Sequence, residues 1–313
     1  MEVHLVDIEN LPSFRNTVVT IGSFDGVHNG HKCLLNQIRQ LALEHNLVTV
    51  VISFEPHPRL FLEPQNSYSV SLLSTAIEKE QLIAETGIDH LVFVRFDKKF
   101  SKLSPQDYIT NFLVDGFDPR FVVVGYDHRY GADRSGDTSL LKKLGLDYNF
   151  KVVEINPQSI DEIIVSSTKI RNAIQKGNLE LVHELLGHRY LIKNKVIKGN
   201  QIGRTLGFPT ANLQVDAHKL LPPDGIYLTD VVLEDGRRYK GMLYIGNRPT
   251  LNNEPEKRVE VYILDFSEDI YDQYIQLEIL ATIRGDKTFK NLEELRIQIE
   301  RDLLDAHNIL ITH

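Results

Sequence analysis

An α/β domain built on a parallel sheet, followed by a small antiparallel β-barrel with a C-terminal helix, is the fold this sequence predicts. Three observations carry that expectation. Apolar runs at residues 17–21, 47–54, 89–95, 120–125 and 151–155 alternate with helical stretches, the pattern of a parallel sheet covered on both faces. After Tyr190 the pattern shifts to closely spaced alternating segments at 192–197, 226–233, 239–245, 258–264 and 275–283, which suits a small barrel. Residues 292–307 then carry Leu292, Leu295, Ile297, Ile299, Leu303 and Leu304 on an amphipathic helix.

The elements can be justified in order. Thr17-Val-Val-Thr-Ile21 is a short β-branched run and reads as a buried strand. Leu34, Leu35, Ile38, Leu41 and Ala42 recur at helical spacing, so a helix begins near Gly30 or His31. The strand at 47–54 runs into the loop Glu55-Pro-His-Pro-Arg59, and residues 75–86 read as a helix. Ser104, Pro105 and Asp107 supply an N-cap, a first-turn proline and a first-turn carboxylate. Ser166-Ser-Thr-Lys-Ile-Arg171 opens another helix, Gly177-Asn178 breaks it, and a short helix ends at Gly187. Asp235-Gly236 marks a hairpin turn. The change of pattern puts the expected domains at residues 1–186 and 187–313.

Composition narrows the function classes. The 313 residues suit two domains, and 42% hydrophobic with 25% charged residues is ordinary for a globular protein. A net charge of −8 argues against a general nucleic-acid binder. Cys33 is the only cysteine, so no intramolecular disulfide or cysteine-rich metal site forms. Met1-Glu-Val-His-Leu-Val-Asp7 lacks the regions of a signal peptide, and no apolar run approaches the ~20 residues of a membrane span. A cytoplasmic protein with no membrane partner is the expectation.

The chemistry concentrates in Thr20-Ile-Gly-Ser-Phe-Asp-Gly-Val-His-Asn-Gly-His31. Gly22, Gly26 and Gly30 allow a tight turn and close approach of a ligand. The helix that follows presents free N–H groups and a positive dipole end, with His28 and His31 beside them. The parts make a phosphate cradle. A zinc pair would read H-E-x-x-H, whereas here Asn29 and Gly30 intervene and the spacing is shorter. In a parallel sheet the turns after Ile21, Phe54 and Gly125 all fall at the carboxyl ends of strands, where ligands bind.

A second cluster, Gly199-Asn-Gln-Ile-Gly-Arg-Thr-Leu-Gly-Phe-Pro-Thr-Ala-Asn212, reads either as a phosphate-contacting loop or as a glycine-rich barrel loop. It is no Walker A loop, since the glycine spacing is short and Arg204 replaces lysine. Thr210 and Asn212 offer oxygen ligands of the kind a magnesium–ATP complex uses. Alternation puts Arg258, Glu260 and Tyr262 on the face opposite Val259, Val261 and Ile263, so composition alone makes Glu260 a solvated carboxylate.

Taken together, the segments GSFDGVHNGH, FEPHP, FSKLSP, VGYDHRYGADRSGD and SSTKIR, then GRTLGFPTAN, LPPDGIY, YIGNRPT, VEVYILDF and IRGDKTF, resemble the bacterial bifunctional riboflavin kinases/FMN adenylyltransferases, also called FAD synthetases. The resemblance spans essentially the whole chain. It implies a Rossmann-like nucleotidyltransferase domain that adenylylates FMN to FAD, and a barrel domain that phosphorylates riboflavin to FMN. His28 and His31 would then hold ATP phosphates, aided by Ser166, Ser167, Thr168 and Arg171 at the β- and γ-phosphates. Gly22, Phe24, Asp25, Gly30 and Asp127 fall on the family's nucleotide positions, and Phe54, Pro56, His57 and Pro58 on its flavin-side loop. In the barrel, Gly203, Thr210 and Asn212 match ATP-contacting positions, Thr210 and Asn212 match the magnesium ligands, and Glu260 matches the general base. The implied substrates are ATP, riboflavin, FMN and FAD, with Mg2+ as cofactor and a monomer or weak oligomer as the assembly. Ser23 stands where the family usually has asparagine, and His128 and Tyr130 replace commoner phenylalanines.

Two other readings compete with this one: an HxGH transferase with a different acceptor, such as a pantetheine phosphate or nicotinamide mononucleotide, and a flavin-binding protein with decayed sites. The first leaves GRTLGFPTAN and Glu260 unexplained, and the second leaves the intact histidines unexplained. Lys169 and Arg171 lie in the first turns of their helix, where cations oppose the dipole at roughly 0.3–1 kcal/mol each. That placement suits a bound anion, with Arg171 as the main contact.

Overall fold

The computed structural model describes residues 1–62, 70–160, 163–199, 202–248 and 256–312. Its contacts divide the chain into two compact units, Met1–Leu72 with Ala76–Ser167, and Leu73–Thr75 with Thr168–His313.

The first unit alternates β1 (Glu2–Val6), β2 (Thr17–Ile21), α1 (Asn29–His45), β3 (Val48–Glu55), α2 (Pro58–Leu62), α3 (Ala76–Ala84) and β4 (His90–Arg95). It continues through α4 (Pro105–Asp107), a π-helical stretch at Tyr108–Val114, α5 (Asp115–Phe117), β5 (Pro119–Gly125), α6 (Thr138–Asp147), β6 (Lys151–Ile155), β7 (Ser159–Ile160) and β8 (Ile163–Ile164). The main sheet has six strands in the order β1-β4-β3-β2-β5-β6, all parallel. β2 is buried at every position, as its unbroken apolar run predicts for a central strand. One face packs Val19, Ile52, Val92 and Val122 against Phe112, Phe117 and Leu141. α1 buries Leu35, Ile38, Leu41 and Ala42 and ends on Asn46 in the left-handed region. Ser104 caps α4 as the sequence predicts, accepting from Asp107 N at 3.0 Å.

The second unit holds most of α7 (Ser167–Gln175), then α8 (Leu179–Leu186), β9 (Tyr190–Ile197), α9 (Ile202–Thr205), β10 (Thr210–Leu213), β11 (Gly225–Val232), β12 (Arg238–Arg248), β13 (Glu256–Ile263), β14 (Tyr274–Gly285) and α10 (Leu292–Thr312). The strands close a barrel in the order β10-β13-β12-β11-β14-β9, and every pairing is antiparallel. Gly236 turns the β11–β12 hairpin at φ 85°. A bidentate ion pair, Arg284 Nε and Nη2 to Asp302 at 2.8 Å each, ties β14 to α10. Asp302 is only 1% exposed, so this charge is paired where it is buried.

Several short elements escape the sequence reading, two of them strands of the main sheets. β1 and β10 are real strands, and α1 starts at Asn29, one residue before the expected region.

Candidate active sites

The first site is built on the turn that leaves β2. Gly22 N still donates to Ile52 O at 3.1 Å, and the chain then bends sharply. Phe24, Gly26 and Val27 adopt left-handed φ values of 48°, 83° and 42°. A β-branched residue in that region costs on the order of 1–3 kcal/mol and persists only where its surroundings enforce it. Val27 is fully buried, which supplies that enforcement.

The bend delivers His28 as the N-cap of α1, its Nδ1 accepting from His31 N at 3.3 Å. A side chain at position 30 would put Cβ 3.2 Å from the His28 ring, so glycine keeps that cap in place. Because Nδ1 accepts, a neutral His28 carries its proton on Nε2. The His31 ring stacks on His28 with centroids 3.7 Å apart and lies 5.0 Å from the Phe24 ring. Burial first, then His28 and Lys79, pushes His31 well below its ordinary value, so His31 is neutral at pH 7. Its Nδ1 is buried without a hydrogen-bond partner among the described residues. No acidic residue occupies the first turn of α1, and the positive end of the helix is left for an anion.

Lys79 lies beneath this turn, 3% exposed. Its Nζ donates to Ser53 Oγ at 3.0 Å, and Ser53 Oγ donates to Ser23 O at 3.2 Å. The chain of bonds joins α3, the end of β3 and the turn. Burial lowers Lys79 to about 8, against the pull of Asp25 and Glu55. Asp25 is 1% exposed, and its carbonyl accepts from Ser167 Oγ at 3.1 Å. Lys79 and Ser53 are residues that sequence reasoning missed. A signal existed: Lys79 stands with Leu82 and Ile83 on the buried stripe of α3, where a lysine needs a reason.

The remaining predicted residues lie at and after the end of β3, after β5 and around the start of α7. Phe54 is buried at the end of β3, followed by the cis Glu55–Pro56 peptide. His57 is buried and its Nδ1 accepts from Arg59 N at 3.2 Å, while Pro58 opens α2. From Phe54 an aromatic wall runs through Phe100, at 5.3 Å, to Tyr108, then to Tyr130 stacked at 5.0 Å and His128 at 5.7 Å. Burial drives His128 down to about 4, so this ring is neutral and aromatic in character. Asp127 is exposed after β5. α7 begins at Ser167, directly after Ser166, and has no acidic residue in its first turn. Thr168 and Lys169 are exposed and Arg171 is partly buried.

The second site lies on the barrel wall. β10 and β13 pair with Asn212 opposite Glu260 and Thr210 opposite Tyr262, so these four side chains share one face. Thr210 Oγ1 donates to Glu260 Oε2 at 3.0 Å, and Arg258 Nη1 holds Glu260 Oε1 at 2.8 Å. The expected solvated carboxylate is a held one, its side chain 17% exposed. The segment before β10 packs closely: a Cβ on Gly199 would lie 2.4 Å from Asn212, and one on Gly203 2.3 Å from Phe208 O. Asn200 and Gln201 of that loop, like Pro249 and Thr250 of YIGNRPT, lie outside the described residues. Asn247 of the same segment donates to Asp224 of LPPDGIY at 2.6 Å. A cleft of about 320 Å³ opens beside Thr210, lined also by Arg204, Phe266, Asp269 and Tyr271. Since Thr210 gives its proton to Glu260, its oxygen keeps lone pairs for a cation, and with the Asn212 amide it fits a hard ion such as magnesium.

The comparisons with known proteins agree with this division. A family model described as FAD synthetase matches residues 11–169, and one described as riboflavin kinase matches residues 186–310. Bifunctional riboflavin kinase/FMN adenylyltransferase from Buchnera aphidicola (subsp. Acyrthosiphon pisum) is 38% identical over 299 residues, covering 95% of each chain. The Escherichia coli K12 protein of that description is 38% identical and covers 92% of this chain and 91% of its own. A crystal structure described as a macrolide-efflux protein from Streptococcus pneumoniae matches with a TM-score of 0.86 at 28% identity, over 98% of this chain and 99% of that one. Among the described residues here, no helix is long and apolar enough to cross a membrane. The chain belongs to the bifunctional riboflavin kinase/FMN adenylyltransferase family.

Proposed function

We propose that the two reactions of the family are divided between the HxGH turn and the barrel wall. Residues 1–186 act as the adenylyltransferase and residues 187–313 as the kinase. The observation that carries this reading is the difference in chemistry between the two sites. One is an anion cradle at a helix N-terminus, with a neutral His31 stacked on His28, and the other a carboxylate gripped at both oxygens.

In the first, a phosphate oxygen of FMN attacks the α-phosphorus of ATP and pyrophosphate leaves. That nucleophile is already an anion, so positioning and charge stabilisation suffice. His28 and His31 donate to ATP phosphate oxygens, with Gly22, Phe24, Asp25, Gly30 and Asp127 shaping the nucleotide site. Ser166, Ser167, Thr168 and Arg171 serve the β- and γ-phosphates, and Lys169 adds a secondary contact. Phe54, Pro56, His57 and Pro58 border the flavin. Lys79 is a positioning residue that holds the Ser23 end of the turn through Ser53.

In the second, a ribityl hydroxyl of riboflavin attacks the γ-phosphorus of ATP. Glu260 accepts its proton, and Arg258 and Thr210 fix the direction in which the carboxylate points. Gly203, Thr210 and Asn212 hold ATP with its magnesium. Incubation of the protein with riboflavin, ATP and magnesium, followed by chromatography, tests the reading. FMN and then FAD are expected. Flavin binding without either product contradicts it.

A further inference from the structure

At the opposite, N-terminal end of the parallel sheet lies a side-chain cluster that neither reaction uses. β1 is the edge strand and pairs in parallel with β4, Glu2 opposite His90 and His4 opposite Val92. Alternation puts Glu2, His4 and Val6 on the face shared with His90, and Val3 and Leu5 on the other. The polarity is inverted relative to burial. Leu5 is 70% exposed, whereas His4 is half-buried and Val6 packs into the core. Hydrophobic patterning would place these residues the other way round, and such reversals mark functional positions.

The imidazoles converge. His4 Nε2 lies 3.2 Å from His90 Nδ1. Glu2 reaches both, Oε2 to His90 Nδ1 at 3.5 Å and Oε1 to His4 Nε2 at 3.9 Å. Donors around a tetrahedral zinc ion, each ~2.0–2.1 Å from the metal, stand ~3.3 Å apart. The nitrogen pair already has that spacing, and the carboxylate, 67% exposed at its side chain, needs only a small rotation to join them. Phe14 fixes both rings edge-on, at 5.6 Å from His4 and 5.0 Å from His90, and itself stacks on Phe117 of the core. Among the described residues, this is the one group of three or more His, Cys, Asp or Glu whose ligand atoms all lie within 4.8 Å of one another.

We propose that Glu2, His4 and His90 bind a zinc-class divalent cation that fastens the edge strand β1 to β4, with water completing the shell. Imidazole ligands select late first-row cations over magnesium, so magnesium supplied with ATP does not compete for the site. The cation serves structure: its position at the starts of β1 and β4 is far along the strands from the turns after β2 and β3.

The test is calorimetric titration of chelator-treated, full-length protein with Zn2+, alongside His4→Gln, His90→Gln and Glu2→Gln. One equivalent binds the native chain, each histidine variant binds at least tenfold more weakly, and Glu2→Gln several-fold more weakly. Added Zn2+ also slows hydrogen exchange at residues 2–6 in the native chain and not in His4→Gln, with both flavin activities unchanged. If His90→Gln fails to fold, His4→Gln on the edge strand carries the test. The proposal is overturned if Zn2+ does not bind, if His4→Gln binds within threefold of the native chain, or if exchange at residues 2–6 ignores the ion.

Discussion

The rings of His28 and His31 lie face to face, 3.7 Å apart and 13° from parallel, and one of them caps the helix that carries the other. Stacked this closely, the pair resists holding two positive charges, and burial keeps His31 neutral.

Replacing His28 separates its two roles. His28→Ser restores a favoured N-cap, so the thermal stability of the variant stays within about 1 kcal/mol of the native chain. Adenylyl transfer nevertheless falls by ~10²-fold or more, the scale of losing one oriented donor. Recovery of FAD synthesis in His28→Ser would reduce His28 to a cap.

Lys79 gives the first site a pH dependence. The folded chain releases this proton near 8, whereas the unfolded chain holds it to ~10.4. The unfolded state therefore binds more protons across that window, and the contribution of Lys79 to stability rises with pH through it. Activity moves the opposite way. As the ammonium opposite Asp25 is lost, adenylyl transfer declines above about pH 8 while riboflavin phosphorylation shows no matching limb. Lys79→Arg keeps its charge and shifts the limb upward. Identical pH–rate profiles for the native and Lys79→Arg proteins would remove Lys79 from the account.

Much of this was legible in the chain because it depends on local pattern. The parallel strands followed from unbroken apolar runs such as Thr17–Ile21, and Ser104 and Gly236 sit where cap and turn chemistry place them. β1 was not legible, since its core face carries Glu2 and His4 and its outer face Leu5. Nor was β10, which is four residues long and follows a loop rich in glycine. In the sites, HxGH and PTAN announced themselves by residue type. Alternation alone makes Glu260 solvated because it reports the face of a strand but not the Thr210 and Arg258 side chains that hold the carboxylate there. Alternation makes Arg258 another outer-face charge, and only the ion pair at 2.8 Å makes it the partner of Glu260.

Arg258→Ala tests that partnership by its kinetic signature. Freed from Arg258, the carboxylate loses its fixed direction, so kcat for riboflavin phosphorylation drops about tenfold or more while KM for ATP changes little. Arg258→Lys recovers part of the loss, and adenylyl transfer is untouched. A rise in KM alone would mean that Arg258 binds substrate.

Arg171 tests the anion site at α7. The first turn of that helix holds no acidic residue and Arg171 is its fifth residue, so Arg171→Ala lowers adenylyl transfer severely, spares the kinase, and leaves the melting temperature without ATP unchanged or slightly raised. A stability loss large enough to account for the defect would contradict the phosphate role.

The division of labour between the sites has its most direct test in Glu260→Gln and His31→Ala, each supplied separately with riboflavin and with FMN, and ATP–magnesium throughout. Glu260→Gln should lose ~10²–10⁴-fold in FMN formation yet turn FMN into FAD at the native rate. His31→Ala should accumulate FMN and make no FAD, and an equal mixture of the two variants should carry riboflavin through to FAD. Loss of both activities in either folded variant, or native FAD formation by His31→Ala, would contradict the assignment.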